Sequence, residues 1–169
     1  MTMQATGESA ILADVLNSTR ILTNYYLHKA QGLDFSKRFE VNGFTTNSIH
    51  WIVAHLAWAE YFLVLKAVGN HDSDVPEWFD LFSIGAPFPA LEEMPSYEEA
   101  FQAFKDMHLQ SLELIKSVQP EELDQPNHLG IKFGGSDSKR MIIHHCIRHE
   151  GTHTGHLGWL LRMHGNKVV

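Results

Sequence analysis

Twelve histidines stand in this chain, almost as many as its thirteen lysines and arginines together. They lie inside the chain rather than in a terminal tract, and five of them fall between His144 and His156. Imidazole is the commonest protein ligand for transition metals, so the question is which histidines share a face. On a helix turning about 100° per residue, His149 and His153 are one turn and roughly 40° apart. Two imidazoles at i and i+4 can grip one ion from a single face. They lie at the centre of the stripe marked by Ile142, Cys146, Leu157 and Leu160, with His145 and His156 at its edge and His144 pointing away. On an earlier helix, Ile52, Leu56, Ala59, Phe62 and Leu63 define an inner face that includes His55. His50 falls on the far side and is expected to be exposed.

One inward histidine is as well explained by a hydrogen-bonded place in the core. Three on two facing helices are harder to explain so, because a buried imidazole needs partners for both ring nitrogens. The sequence offers few other polar groups for this core. A divalent ion would satisfy one nitrogen from each of His55, His149 and His153, and an open three-histidine site leaves coordination positions free. Zn, Ni or Fe accepts such ligands. His145 and His156 are expected at the pocket edge rather than as ligands, and Cys146 as a small core residue. The run from His149 through Glu150, Gly151 and Thr152 to His153 also fits the H-E-x-x-H pattern of zinc proteases, in which the glutamate is general base. Glu150 lies about 60° or more from the centre line of the two histidines. It is expected to be solvated or to cap a neighbouring side chain, and His156 stands where the longer metzincin pattern needs glycine.

Four helical segments must position these groups. The first runs from about Glu8 to Ala30, with Ile11, Val15, Leu22, Tyr25 and Tyr26 on its apolar side. The second spans about Asn47 to Val68, with Thr46 or Asn47 as N-cap and Gly69-Asn70 as its stop. The third spans about Tyr97 to Val118, opened by a capping box of Ser96 and Glu99. The fourth follows Ser136-Asp137-Ser138 and ends at Gly165. No alternating run is long enough for a sheet, although Gly130 to Phe133 could form one short extended piece. The fold expected is all-α, an up-and-down antiparallel four-helix bundle, as a single domain over residues 1–169. The apolar connection from Gly69 to Pro95 should lie over the bundle, as a lid or as simple cover for the core.

Composition narrows the function. A net charge of −7 with no basic stripe argues against a nucleic-acid partner. One cysteine excludes an internal disulfide framework and suits a reducing, cytoplasmic compartment. Met1 to Ser9 carry no basic region followed by an apolar run. No stretch reads as the roughly 20 uninterrupted apolar residues of a membrane span. Ile143, Ile147 and Leu161 fall off the inner stripe of the fourth helix, and their apolar surface predicts a homodimer.

The stretch Asn47 to Glu60, with His50, Trp51, His55 and Trp58, resembles the second helix of the DinB-like superfamily. The stretch His149 to Gly165 resembles its fourth helix. The resemblance covers essentially the whole chain in helix order and length. It implies a four-helix bundle, often dimeric, with a metal bound by the residues at His55, His149 and His153. It also implies a small-molecule substrate and transfer of a low-molecular-weight thiol such as bacillithiol or mycothiol. His156 stands where relatives commonly carry glutamine. Two other readings stay open: a hydrolase using metal-activated water, with Glu150 as base, and a non-catalytic metal or small-molecule binder.

Overall fold

The computed structural model describes residues 7–71 and 74–167. The first six residues, part of the stretch read for a leader, lie outside the described residues. The protein is mostly helical. Helix α1 spans Glu8–Lys29, α2 Ile49–Glu60, α3 Tyr97–Ser117 and α4 Lys139–Met163. α1 packs against α3 and α4, and α2 against α3 and α4. The core between them is built on fully buried side chains that include Leu16, Ile52, Phe104, Ile115 and Ile142.

α1 turns the opposite face inward from its bulky apolar one. Leu12, Ala13, Leu16, Arg20, Thr23 and Leu27 are buried at spacings of one, three and four. Ile11 is 61% exposed, and Val15, Leu22 and Tyr25 are exposed beside it. The physical reason is polar. Arg20 and Thr23 are held inward by a buried carboxylate on α4, and that interaction fixes the rotation of the helix.

Between α1 and α2 lies a two-stranded antiparallel hairpin, Glu40–Val41 with Phe44–Thr45, which the sequence reading did not place. Its turn residues Asn42 and Gly43 have φ of 49° and 84°, the left-handed pair that a tight hairpin turn requires. The short extended piece expected near Phe133 is a single bridge to Ser136.

α2 is capped by Ser48, not by Thr46 or Asn47; its side-chain oxygen accepts from the Trp51 amide. Of its residues only Trp51 escapes full burial. A helix apolar on all sides belongs at the centre of a core. It continues without a break as a π-helix, Tyr61–Val68, an uncommon geometry in a run of this length. Gly69 ends it at a close approach: a Cβ there would lie 2.9 Å from the Leu65 carbonyl oxygen. By length and composition Ile49–Val68 could cross a membrane, contrary to the sequence reading, but 83% of that apolar window is buried inside the fold.

The other boundaries match expectation. Ser96 and Glu99 form the capping box of α3, and Ser138 caps α4. The connection from Gly69 to Pro95 carries a 3-10 helix, Glu77–Phe82, packed on α2 with Phe79 and Phe82 buried. On α4, Ile143 and Leu161 are core residues rather than outward apolar surface, and Ile147 is half-buried. The helix is covered on two sides, by α1 and by α2 with its π-helical end, so its buried arc is wider than one stripe.

The inverted face of α1 can be checked by urea unfolding. Leu16→Ala should destabilise the protein by about 3 kcal/mol, as deletion of a fully buried leucine does. Ile11→Ala should change stability by less than about 0.5 kcal/mol. Equal effects would mean that the helix is rotated from the position described.

Candidate metal centre

His55, His149 and His153 come together. Their ring centroids form a near-equilateral triangle, 4.6 Å between His149 and His153, 4.7 Å between His55 and His153, and 5.0 Å between His55 and His149. One nitrogen from each lies within 4.8 Å of the others, a spacing that could hold one ion. His55 and His153 are buried and His149 is half-buried. Burial, with the neighbouring imidazoles adding to it, pushes His149 down to about 3 and His153 down to about 2. Burial also lowers His55, against the pull of its hydrogen bond to Phe82. All three rings are therefore neutral near pH 7 and keep a lone pair for a ligand.

The tautomer of His55 follows from its surroundings. Its Nδ1 lies 2.7 Å from the carbonyl oxygen of Phe82, which can only accept, so Nδ1 carries the proton. Nε2 is then a bare acceptor, and it points at His149 Nε2 from 3.1 Å. A carbonyl holding the far nitrogen of a histidine is the usual support of a metal ligand. It comes here from the 3-10 helix of the long connection, whose Phe79 and Phe82 are buried, so that segment both covers the core and orients the site. Trp51 and Trp58, one turn before and after His55, stack on it at 4.6 Å and 5.7 Å.

The other histidines separate cleanly. His145 is half-buried, stacked on Phe133 at 3.5 Å and 5.9 Å from the His149 ring. His156 is exposed, with Nδ1 3.4 Å from His153 Nδ1. Both stand at the rim, and His144 is exposed. His50 corrects the sequence reading: it is 6% exposed rather than solvent-facing. Its amide donates to the Phe35 carbonyl and its ring meets Tyr97 edge-on, so the chain before α2 and the start of α3 cover it.

Glu150 is the larger correction. It is 1% exposed. Its Oε1 accepts from Arg20 Nε at 2.5 Å and from Thr23 Oγ1 at 2.9 Å, and its Oε2 accepts from Arg20 Nη2 at 3.1 Å. Arg20 also lies 3.3 Å from Glu60 and donates to the Phe104 carbonyl. Burial opposes its charge, but Glu60 and Glu150 hold the guanidinium charged. His108 closes the layer, its Nδ1 2.9 Å from Glu60. This core is thus richer in polar groups than the sequence reading allowed.

Glu60, His108 and Glu150 also lie within ligand distance of one another. The Arg20 guanidinium already supplies the cation among them, so the group does not make a second metal site. Cys146 is buried, and burial raises its thiol well above the usual range, which makes it an inert core residue.

The sequence reading missed Arg20, Thr23, Glu60 and His108, and with them the carbonyl of Phe82. A signal for the first two was present. Leu16, Arg20, Thr23 and Leu27 repeat at three and four residues, placing two polar side chains in an otherwise apolar inward row.

A family model described as the DinB superfamily matches residues 15–157, a span that holds all three histidines of the triangle. No curated protein matches the chain.

Zinc titration of the metal-free protein with a competing chelator separates the histidines. His55→Ala should weaken binding by more than the roughly 10–100-fold that loss of an outer partner causes. His50→Ala should leave zinc affinity unchanged while lowering stability. Equal weakening by both would place the site elsewhere on α2.

Proposed function

We propose, from the premise that the chain belongs to the DinB superfamily, that His55, His149 and His153 hold a divalent ion, Zn, Ni or Fe, in a transferase of a low-molecular-weight thiol. The observation that carries this reading is the fixed tautomer of His55, whose bare nitrogen faces His149 inside a triangle of neutral imidazoles. Neutral ligands leave the double charge of an ion uncompensated, and an ion so held lowers the pKa of a thiol and supplies thiolate at neutral pH.

The chain's own residues do the rest. Phe82 and Trp51 fix the His55 ring. The apolar walls around it exclude water, which strengthens electrostatic interactions there. His145 and His156 at the rim offer hydrogen bonds to a bound small molecule. The thiolate sulfur attacks an electrophilic carbon, the sulfur–carbon bond forms, the leaving group departs with its electron pair, and the thiol proton passes to solvent.

The hydrolase reading needs Glu150 as a base beside a water. Its carboxylate instead accepts three hydrogen bonds from Arg20 and Thr23 and is sealed from solvent. A group so engaged is poorly placed to take a proton. The four long helices fit an up-and-down four-helix bundle forming one domain. A homodimer is supported by the outward apolar row of α1, Ile11, Val15 and Leu22, rather than by Ile143 and Leu161. A free, buried Cys146 suits a reducing, cytoplasmic setting.

Conjugation of bacillithiol, mycothiol or glutathione to a panel of electrophiles tests the reading. Turnover should appear with one thiol, stop on chelation and be absent in His153→Ala. Glu150→Gln should retain most of the turnover per folded molecule. Ester hydrolysis that vanishes in Glu150→Gln with metal still bound would replace transfer by hydrolysis, and tight metal binding without any turnover would favour a binding protein.

A further inference from the structure

Beside the histidine triangle lies a cavity of about 310 Å³, lined by residues from the start of α2 and the end of α4. Its apolar walls are Ile52, Trp159, Leu160 and Met163. Asn47 supplies a polar edge, held by the segment that leads from the hairpin into α2. Thr46 of that segment donates its amide to the carbonyl of Phe39, just before the hairpin, at 2.8 Å, and the Phe39 ring meets His164 edge-on at 4.9 Å, which ties the segment to the end of α4. The cavity adjoins the metal centre through two residues. His156 lines it and also lies 3.4 Å from His153 through their Nδ1 atoms, and Ile52 stands one turn before His55.

The lining says what kind of group fits. No Asp, Glu, Lys or Arg is among the lining residues, so a charged group would lose its hydration there with only Thr46, Asn47 and His156 to hydrogen-bond it and no carboxylate, ammonium or guanidinium to pair with. The volume is at the small end of ligand pockets, which run from about 300 Å³. Trp159 is 67% exposed although it is a large apolar side chain on an otherwise well-packed helix. An indole face and a methionine sulfur are both good neighbours for an aromatic ring.

We propose that this cavity seats an uncharged aromatic group of the electrophilic substrate, with Trp159 as the plate on which the ring lies. The role of that molecule as substrate rests on the thiol-transfer reading; the binding preference of the cavity does not. His156 stands where the cavity meets the triangle and marks the direction in which the reactive end of such a molecule points.

Fluorine NMR titration tests this on protein stripped of metal by chelator, with 4-fluorobenzyl alcohol, 4-fluorobenzoate and 4-fluorobenzylamine as probes. Stripping removes direct metal binding of the benzoate or amine, and no thiol or turnover is needed. The proposal therefore stands or fails apart from the transferase reading. The alcohol should bind saturably, and both charged probes should bind about tenfold more weakly or worse. Trp159→Ala should weaken the alcohol by about fivefold to tenfold, and Trp159→Phe should keep most of the affinity. Because Trp159 is exposed, neither change disturbs the core. Absence of saturable binding by the alcohol, tighter binding of a charged probe, or affinity unchanged in Trp159→Ala would each overturn the proposal.

Discussion

An arginine buried among helices must find its counter-charges inside the protein, and most of this structure follows from where Arg20 finds them. Its guanidinium lies between Glu150 of α4 and Glu60 of α2, with the Phe104 ring of α3 3.5 Å beneath it. Each long helix therefore contributes to one polar layer. A buried ion pair gives little net stability, since desolvation offsets much of the attraction, but breaking it strands a charge and costs about 3–5 kcal/mol. What the layer fixes is register. Turning α1 so that its bulkier apolar side faced inward would leave the carboxylates of Glu60 and Glu150 without their cation.

That constraint reaches the histidine triangle through the chain itself. Glu150 stands between His149 and His153, one residue after the first and three before the second. Anchoring Glu150 to α1 sets the rotation of α4 and presents both imidazoles toward α2. From the other side, the Phe82 carbonyl anchors His55 through its Nδ1. One anchor is an ion pair in the core and the other a backbone carbonyl in a long connection, and between them one nitrogen from each of the three rings comes within 4.8 Å of the others. The H-E-x-x-H pattern is thereby put to a different use from that in zinc proteases: its glutamate binds Arg20 and Thr23 of α1 and holds the helix of the two histidines in place.

Much of this was legible in the sequence because it depends on local periodicity. Helix limits followed from caps such as Ser96 with Glu99 and from stops such as Gly69, and the meeting of the three histidines followed from helical faces. What was not legible depends on partners distant in sequence. Glu150 reads as a surface residue until Arg20, 130 residues away, is brought beside it. His50 reads as exposed until the chain before α2 and Tyr97 fold over it. The π-helical end of α2 departs from the period on which face assignment relies. The Asn42-Gly43 hairpin is a different case: the turn signal was local and plain, and its flanking strands of two residues each were too short to register as alternation.

The most direct measurement is X-ray absorption spectroscopy of the zinc-loaded protein, which counts imidazole ligands by their multiple scattering. Three protein imidazoles, one each from His55, His149 and His153, should fit the wild-type spectrum, and two should fit that of His149→Ala. A wild-type spectrum dominated by carboxylate oxygens, or one that His149→Ala leaves unchanged, would contradict a metal centre built on these histidines.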